Sequence, residues 1–202
     1  AMATQGSRYA RVSYGLPLGA DGWRVGVNAS RMDYRLITAA YKDLNASGDS
    51  TTTGLELSYP WVRSRTFNLN TNLSADKKGF YNVSGGAVTS SFKSVPVSLA
   101  MSGNSLDSWG PGGANSFSLT MTAGELNLDG SPTQSSDAAT TQAAGRYKKV
   151  RYAISRQQQI SPSLSIYSAF SGQWANKNLD SSEKFFLGGS SGVRAYPSSE
   201  AG

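Results

Sequence analysis

From Phe67 to Ala75 the chain alternates strictly: Phe67, Leu69, Thr71, Leu73 and Ala75 interleave with Asn68, Asn70, Asn72 and Ser74. Successive side chains on a strand point to opposite faces, so a period of two predicts a strand with one apolar face and one hydrogen-bonding face. A row of asparagines is too polar for the dry core of a β-sandwich. It suits a wet lumen, and Asn68, Asn70 and Asn72 are expected to face one. The same period recurs in Ala10, Val12, Tyr14 and Leu16, then in Trp23, Val25, Val27 and Ala29, and again in Leu55, Leu57 and Tyr59. It continues through Val95, Val97, Leu99 and Met101, through Phe117, Leu119, Met121 and Ala123, and through Val150, Tyr152 and Ile154. Leu164, Ile166, Phe170 and Trp174 close the series. In the strand that begins at Arg146, Lys149 and Arg151 fall on the lumen parity.

These segments are long, as in a membrane barrel, and they number about eight. The prediction is an all-β fold, a transmembrane antiparallel β-barrel of which this chain is an incomplete portion. Connections are expected to alternate between short turns, as at residues 17–22 and 60–65, and long polar loops around Lys42 to Asp49, around Lys77 to Gly86, and from Asn127 to Gly145. The last of these shows no packed pattern. A bulge is expected near Met32, where the apolar phase slips, and another at Pro96, because proline cannot donate to a ladder. Tyr14, Tyr59, Trp61, Tyr152 and Trp174 sit where an interfacial aromatic girdle would lie.

Composition narrows the function classes. The 202 residues are 38% apolar and only 16% charged, with 22 glycines, which is not the profile of a disordered chain. Cysteine and histidine are absent, which removes disulfides, thiolate and imidazole metal sites and Ser-His hydrolases. Glu56, Glu125 and Asp33 are isolated by face or position, so no catalytic constellation, cofactor or enzyme activity is expected. The net charge of +6 is dispersed rather than gathered in a stripe, which argues against nucleic acid. Residues 1–6 have no apolar signal region and no apolar run approaches about 18 residues, so any membrane crossing is expected through strands.

One stretch departs from the alternation. Residues 185–197 read Phe-Phe-Leu-Gly-Gly-Ser-Ser-Gly-Val-Arg-Ala-Tyr-Pro, three glycines and then a single arginine between an aliphatic and an aromatic neighbour. No lysine or helix pattern follows, so a phosphate cradle is the weaker reading. With its lead-in from Asn178 to Lys184, the stretch resembles the in-folding loop of two-partner secretion outer-membrane transporters, the haemolysin activation/secretion family. The pattern there is Leu-Gly-Gly followed by Val-Arg-Gly-aromatic. Leu187, Gly188, Gly189, Val193, Arg194 and Tyr196 match it; Ala195 stands where the wider family usually has glycine.

The resemblance implies a pore that passes an unfolded exoprotein outward across the bacterial outer membrane without nucleotide hydrolysis, with residues 178–202 forming the loop that plugs it. It implies periplasmic POTRA domains and further strands outside this chain, one of them carrying the partner of Arg194. Outer-membrane lipid is an expected partner, and for the rim cations Arg146, Lys148 and Lys149 a plain solvated rim is the first reading, with contact to lipopolysaccharide phosphates as the second, ahead of nucleic acid. The alternatives are a barrel-assembly insertase of the same superfamily and a passive porin-like barrel.

Overall fold

The computed structural model describes residues 2–4, 6–37 and 43–186, the first three by backbone alone. One antiparallel sheet of nine strands follows chain order: β1 (Met2–Thr4), β2 (Ser7–Leu18), β3 (Trp23–Arg35), β4 (Ser47–Arg63), β5 (Phe67–Ser84), β6 (Ala87–Asp107), β7 (Gly113–Asn127), β8 (Gly145–Ser161) and β9 (Leu164–Ala175). The count exceeds the expected eight by β1, whose three residues are too short to show a period. From β2 to β9 the strands run from 12 to 21 residues. Strands of soluble domains average five or six residues, and crossing a bilayer takes about 9–11. Among the described residues the sheet is open, with β1 and β9 as its edges.

Register converts the alternation into two faces. Leu16, Val25, Leu57, Leu73, Leu99, Met121, Val150 and Trp174 pair in one row across β2 to β9. The adjacent row holds Tyr14, Val27, Leu55, Ala75, Val97 and Ala123. Among the described residues nothing covers this outward face: Leu73, Leu99, Met121 and Trp174 are all exposed. Burying one such side chain stabilises a soluble protein by about 1.5–3 kcal/mol. A bare apolar face of this extent is therefore a face for lipid, since soluble monomers rarely expose patches above a few hundred Å². On β7 the apolar stripe from Phe117 to Ala123 measures about 20 Å at ~3.4 Å per residue, close to the ~25 Å belt of outer-membrane barrels.

The opposite face carries Gly26, Glu56, Ser74, Ser98, Thr122 and Lys149 in one row, and Arg24, Ser58, Asn72, Ala100, Thr120, Arg151 and Gln173 in the next. Packing of residues 176–186 against it defines it as the inward face. The buried apolar cluster is small: Leu126, Leu128 and Ala143, with Phe92 and Ala144 against it.

Several expectations are corrected. The register of β3 against both neighbours is unbroken through Met32, so there is no bulge there. Arg31 and Asp33 occupy the outward positions because the strand has already left the belt, and Tyr34 turns inward to donate to Asn82 Oδ1 at 2.9 Å. Pro96 makes no bulge either. It pairs with Gly124 of β7, while the ladder to β5 skips from Val97–Ala75 to Ser94–Lys78 in the same register, which is what a missing N–H produces. One bulge lies instead between Pro60 and Val62, and the extra residue, Trp61, donates its indole N–H to Thr71 Oγ1 at 2.7 Å.

The expected loop around Lys77 to Gly86 is a two-residue turn. Gly85 (φ 59°) and Gly86 (φ 81°) take the left-handed conformations of a tight hairpin, so β5 and β6 continue past the belt and carry Lys77 and Lys78 within the ladder. Residues 128–144 are also packed rather than loose. They contain helix α1 (Gln134–Ala139), and Asp137 closes the segment by accepting from Thr141 Oγ1 at 2.5 Å and from the backbone N–H groups of Ala143 and Ala144 at 2.9 and 3.0 Å.

Of the proposed girdle, Tyr59 packs against Trp23 and meets Trp61 edge-to-face at the end of the sheet where the turn at residues 19–22 lies, with centroids 4.6 and 5.0 Å apart. Tyr152 shares their row across the sheet. Tyr14 and Trp174 do not border the belt. Val12 lies beyond Tyr14, and β9 ends while still at the central row.

Candidate functional site

After Ala175 the chain leaves the sheet and folds onto the inward face. Asn176 holds the exit, its side-chain oxygen accepting from Lys148 N at 2.8 Å and its own N–H donating to Lys148 O at 3.1 Å. Lys177 Nζ then donates to Ala144 O at 2.5 Å and Asn178 Nδ2 to Thr141 O at 2.9 Å, which ties this strap to the segment carrying α1. Leu179 is buried. Asp180 Oδ1 accepts from the N–H and hydroxyl of Ser182, and Asp180 O accepts from Glu183 N at 2.9 Å, a turn that points the glutamate at the sheet.

Glu183 is the centre of the site, at 4% exposure. Its Oε2 accepts from Lys149 Nζ at 2.6 Å and its Oε1 from Lys78 Nζ at 3.0 Å, and Lys149 also donates to the Glu183 carbonyl at 2.8 Å. One carboxylate thereby bridges β8 and β5, with β6 and β7 between them. Burial opposes ionisation of Glu183, but the hydrogen bond from Lys149 and the charge of Lys78 outweigh it and hold the carboxyl below its ordinary range. Tyr147, 3% exposed, lies two residues from Lys149 on the same face of β8. Its ring has room only because residue 124, its cross-strand partner, is glycine: a Cβ there would meet the ring at 2.6 Å. Further along, Arg151 donates to Gln173 Oε1 at 3.1 Å and to Lys184 O at 3.3 Å, and its guanidinium lies 5.8 Å from the centroid of the Phe185 ring. Chemically this is a charged fastening for a chain segment; the described residues hold no group of three or more metal-ligating side chains.

Asn68, Asn70, Asn72, Lys149 and Arg151 all lie on the inward face by register. Asn68 donates to Asn104 Oδ1 at 2.9 Å across β5 and β6. The tip motif, Leu187, Gly188, Gly189, Val193, Arg194, Ala195 and Tyr196, lies outside the described residues. Sequence reasoning missed Lys78, assigned to a loop, and treated Glu183 only as part of the lead-in to the motif. The signal was the pair of dipeptides Lys77-Lys78 and Lys148-Lys149, each of which must put one lysine on the inward face of a strand.

Residues 1–201 match the family described as haemolysin secretion/activation protein ShlB/FhaC/HecB. The chain belongs to that family. It is 30% identical over 199 residues to the heme/hemopexin transporter protein HuxB of Haemophilus influenzae, a match covering 95% of this chain and 34% of the relative, and 28% identical to the same protein from strain 86-028NP. The chain thus spans about a third of the length of the curated relatives it matches. Among solved structures, CdiB from Escherichia coli superposes with a TM-score of 0.73 at 20% identity, covering 94% of this chain and 35% of CdiB. CdiB from Acinetobacter baumannii superposes at 0.62 and 18% identity, covering 94% and 33%. These likenesses establish a shared fold, and the family membership agrees with the resemblance carried by the loop sequence.

Proposed function

We propose that this chain forms part of the wall of a bacterial outer-membrane pore that exports an unfolded exoprotein by two-partner secretion, without nucleotide hydrolysis. The observation that carries this reading is the two-faced sheet: rows of exposed leucine, valine and methionine on one side, serine, threonine and asparagine on the other. Strands outside this chain close the barrel by pairing with the open edges. On the inward wall Asn68, Asn70 and Asn72 offer hydrogen bonds to an extended chain without gripping any one side chain, while Lys149 and Arg151, of the same face, hold the strap. Conduction requires such weak, repeated contacts.

By the family resemblance residues 178–202 serve as the plug; the tip motif from Leu187 to Tyr196 lies outside the described residues. Support comes from residues 178–186, which pack against the inward face through Glu183 and Arg151. The exoprotein is the partner, nucleic acid is not, and no residue acts as a catalyst. In the full-length transporter, Arg194→Ala is expected to lower secretion of the cognate exoprotein while heat-modifiable gel migration, the mark of an inserted barrel, is unchanged. Undiminished secretion would remove Arg194 from the mechanism.

A further inference from the structure

Charge is unevenly distributed on the outward face. At the end of the belt marked by the turn at residues 19–22 the border is aromatic, and the outward Arg156 there is already held by Asp107 Oδ2 at 2.6 Å and by Asn115 Oδ1. At the opposite end, where β5 and β6 run on to the Gly85-Gly86 turn, the border is basic. Lys77 follows Ala75 on β5, Lys148 sits level with Ala123 on β8 with Arg146 two residues beyond it, and Lys93 lies just above Val95 on β6.

All four are exposed. Lys93 pairs with Gly79, so Lys77 is its diagonal neighbour, with Cα atoms about 7–8 Å apart. Lys148 stands three strands away, roughly 14 Å at ~4.8 Å per strand. Among the described residues the side chains of Lys77, Lys93 and Lys148 have no hydrogen bond or ion pair. Arg146 has only a 3.6 Å contact with Glu125; Asp49 and Asp129 line the same hollow as Lys93 but form no ion pair with it. By contrast Lys78 and Lys149, their sequence neighbours, are both engaged by Glu183.

A lysine at the edge of an apolar belt lays its methylene stem along hydrocarbon and presents its ammonium at the depth of the lipid headgroups. Three such ammoniums, none ion-paired among the described residues, are open to a counter-charge from the lipid. The geometry points to a binding site for the phosphates of lipid A, built by Lys77, Lys93 and Lys148 with Arg146 beside them. Lipid A carries two phosphates on one headgroup, which suits cations spread over β5 to β8, and the basic border lies at the end of the sheet that extends furthest beyond the belt, the outer end in barrels of this kind. The site rests on the membrane-spanning reading of the sheet.

The test is native mass spectrometry of the full-length transporter, stripped of lipid in detergent and titrated with lipid A, phosphatidylglycerol or inorganic phosphate. The triple variant Lys77→Ser, Lys93→Ser, Lys148→Ser should lose lipid A affinity by roughly fivefold per lysine. Arg65→Ser, at the aromatic end, should bind as the parent does, and the triple Lys→Arg variant should retain binding. Heat-modifiable migration checks that each variant is inserted. Unchanged lipid A affinity in an inserted triple serine variant, or equal loss in Arg65→Ser, would overturn the site. Phosphatidylglycerol or free phosphate binding as tightly as lipid A would overturn the choice of ligand. A parent protein that shows no heat-modifiable form would overturn the membrane reading itself, and the site with it.

Discussion

Lys77 and Lys78 are neighbours in sequence and live in different solvents, as do Lys148 and Lys149. Lys78 and Lys149 face inward and share the carboxylate of Glu183 at 3.0 and 2.6 Å. Lys77 and Lys148 face outward at the edge of the apolar belt and have no partner in the described chain. The backbone is the same ladder in both cases, so composition cannot explain the difference; the parity of the strand does. The inward face behaves as a protein interior with polar content, where charges must be matched. The outward face behaves as a solute in lipid, where the middle of the belt tolerates no charge and its edge accepts a cation that reaches the headgroups.

The comparison breaks most sharply at the middle of the belt. Leu99→Arg places a charge in the central outward row and is expected to cost about 4 kcal/mol of folding free energy in a bilayer. Ala100→Arg, one residue on and facing inward, should cost a small fraction of that, as read by urea titration of the lipid-inserted protein. Equal costs would mean that the two faces are not differently solvated.

Next in size is Glu183→Gln, which leaves Lys149 and Lys78 without their counter-charge. Breaking a buried ion pair by removing one partner costs about 3 kcal/mol. Here the loss should fall on strap docking, as faster amide hydrogen exchange in residues 179–186 while the strands stay protected. Acid should reach the same state gradually. The carboxyl of Glu183 is lowered in the docked state, so its contribution is fully present above the ordinary carboxylate pKa and is lost as pH falls through the depressed value. Exchange in the strap should therefore be slow at neutral pH and accelerate only below the ordinary carboxylate range; loss of protection on raising the pH through neutrality would contradict the assignment.

Smaller effects should separate the two lysines of each dipeptide. Lys78→Met removes the more exposed of the two inward partners and should loosen the strap by about 1 kcal/mol on the same exchange readout. Lys77→Met should leave both folding and strap protection within ~0.5 kcal/mol of the parent.

The alternation at residues 67–75 made the β-class, the two faces and most strand positions legible, because a period of two survives in any register that keeps one face apolar. Connections were harder to read. Gly85-Gly86 carries the chemistry of a tight hairpin, yet the flanking residues no longer alternate apolar with polar, since β5 and β6 have risen out of the belt: their outward face is polar there, while Phe80 and Phe92 pack on the inward side. The packing of residues 128–144 escaped notice for a similar reason: its organiser is Asp137, a carboxylate satisfied by local N–H and hydroxyl groups, and such a knot leaves no periodic trace.

By itself the sequence determined which side of each strand meets lipid and, through the loop from Leu187 to Tyr196, which family the chain resembles. Both are local properties, a two-residue period and a short motif. Only the tertiary structure decided that Glu183 binds Lys149 and Lys78, residues 34 and 105 positions away. No short-range pattern encodes that choice, because it depends on the register of β5 to β8 bringing two lysines of the same parity beneath a strap that leaves the sheet after Ala175. Desolvation then makes the pairing obligatory, since a carboxylate buried to this degree is stable only with its charge matched.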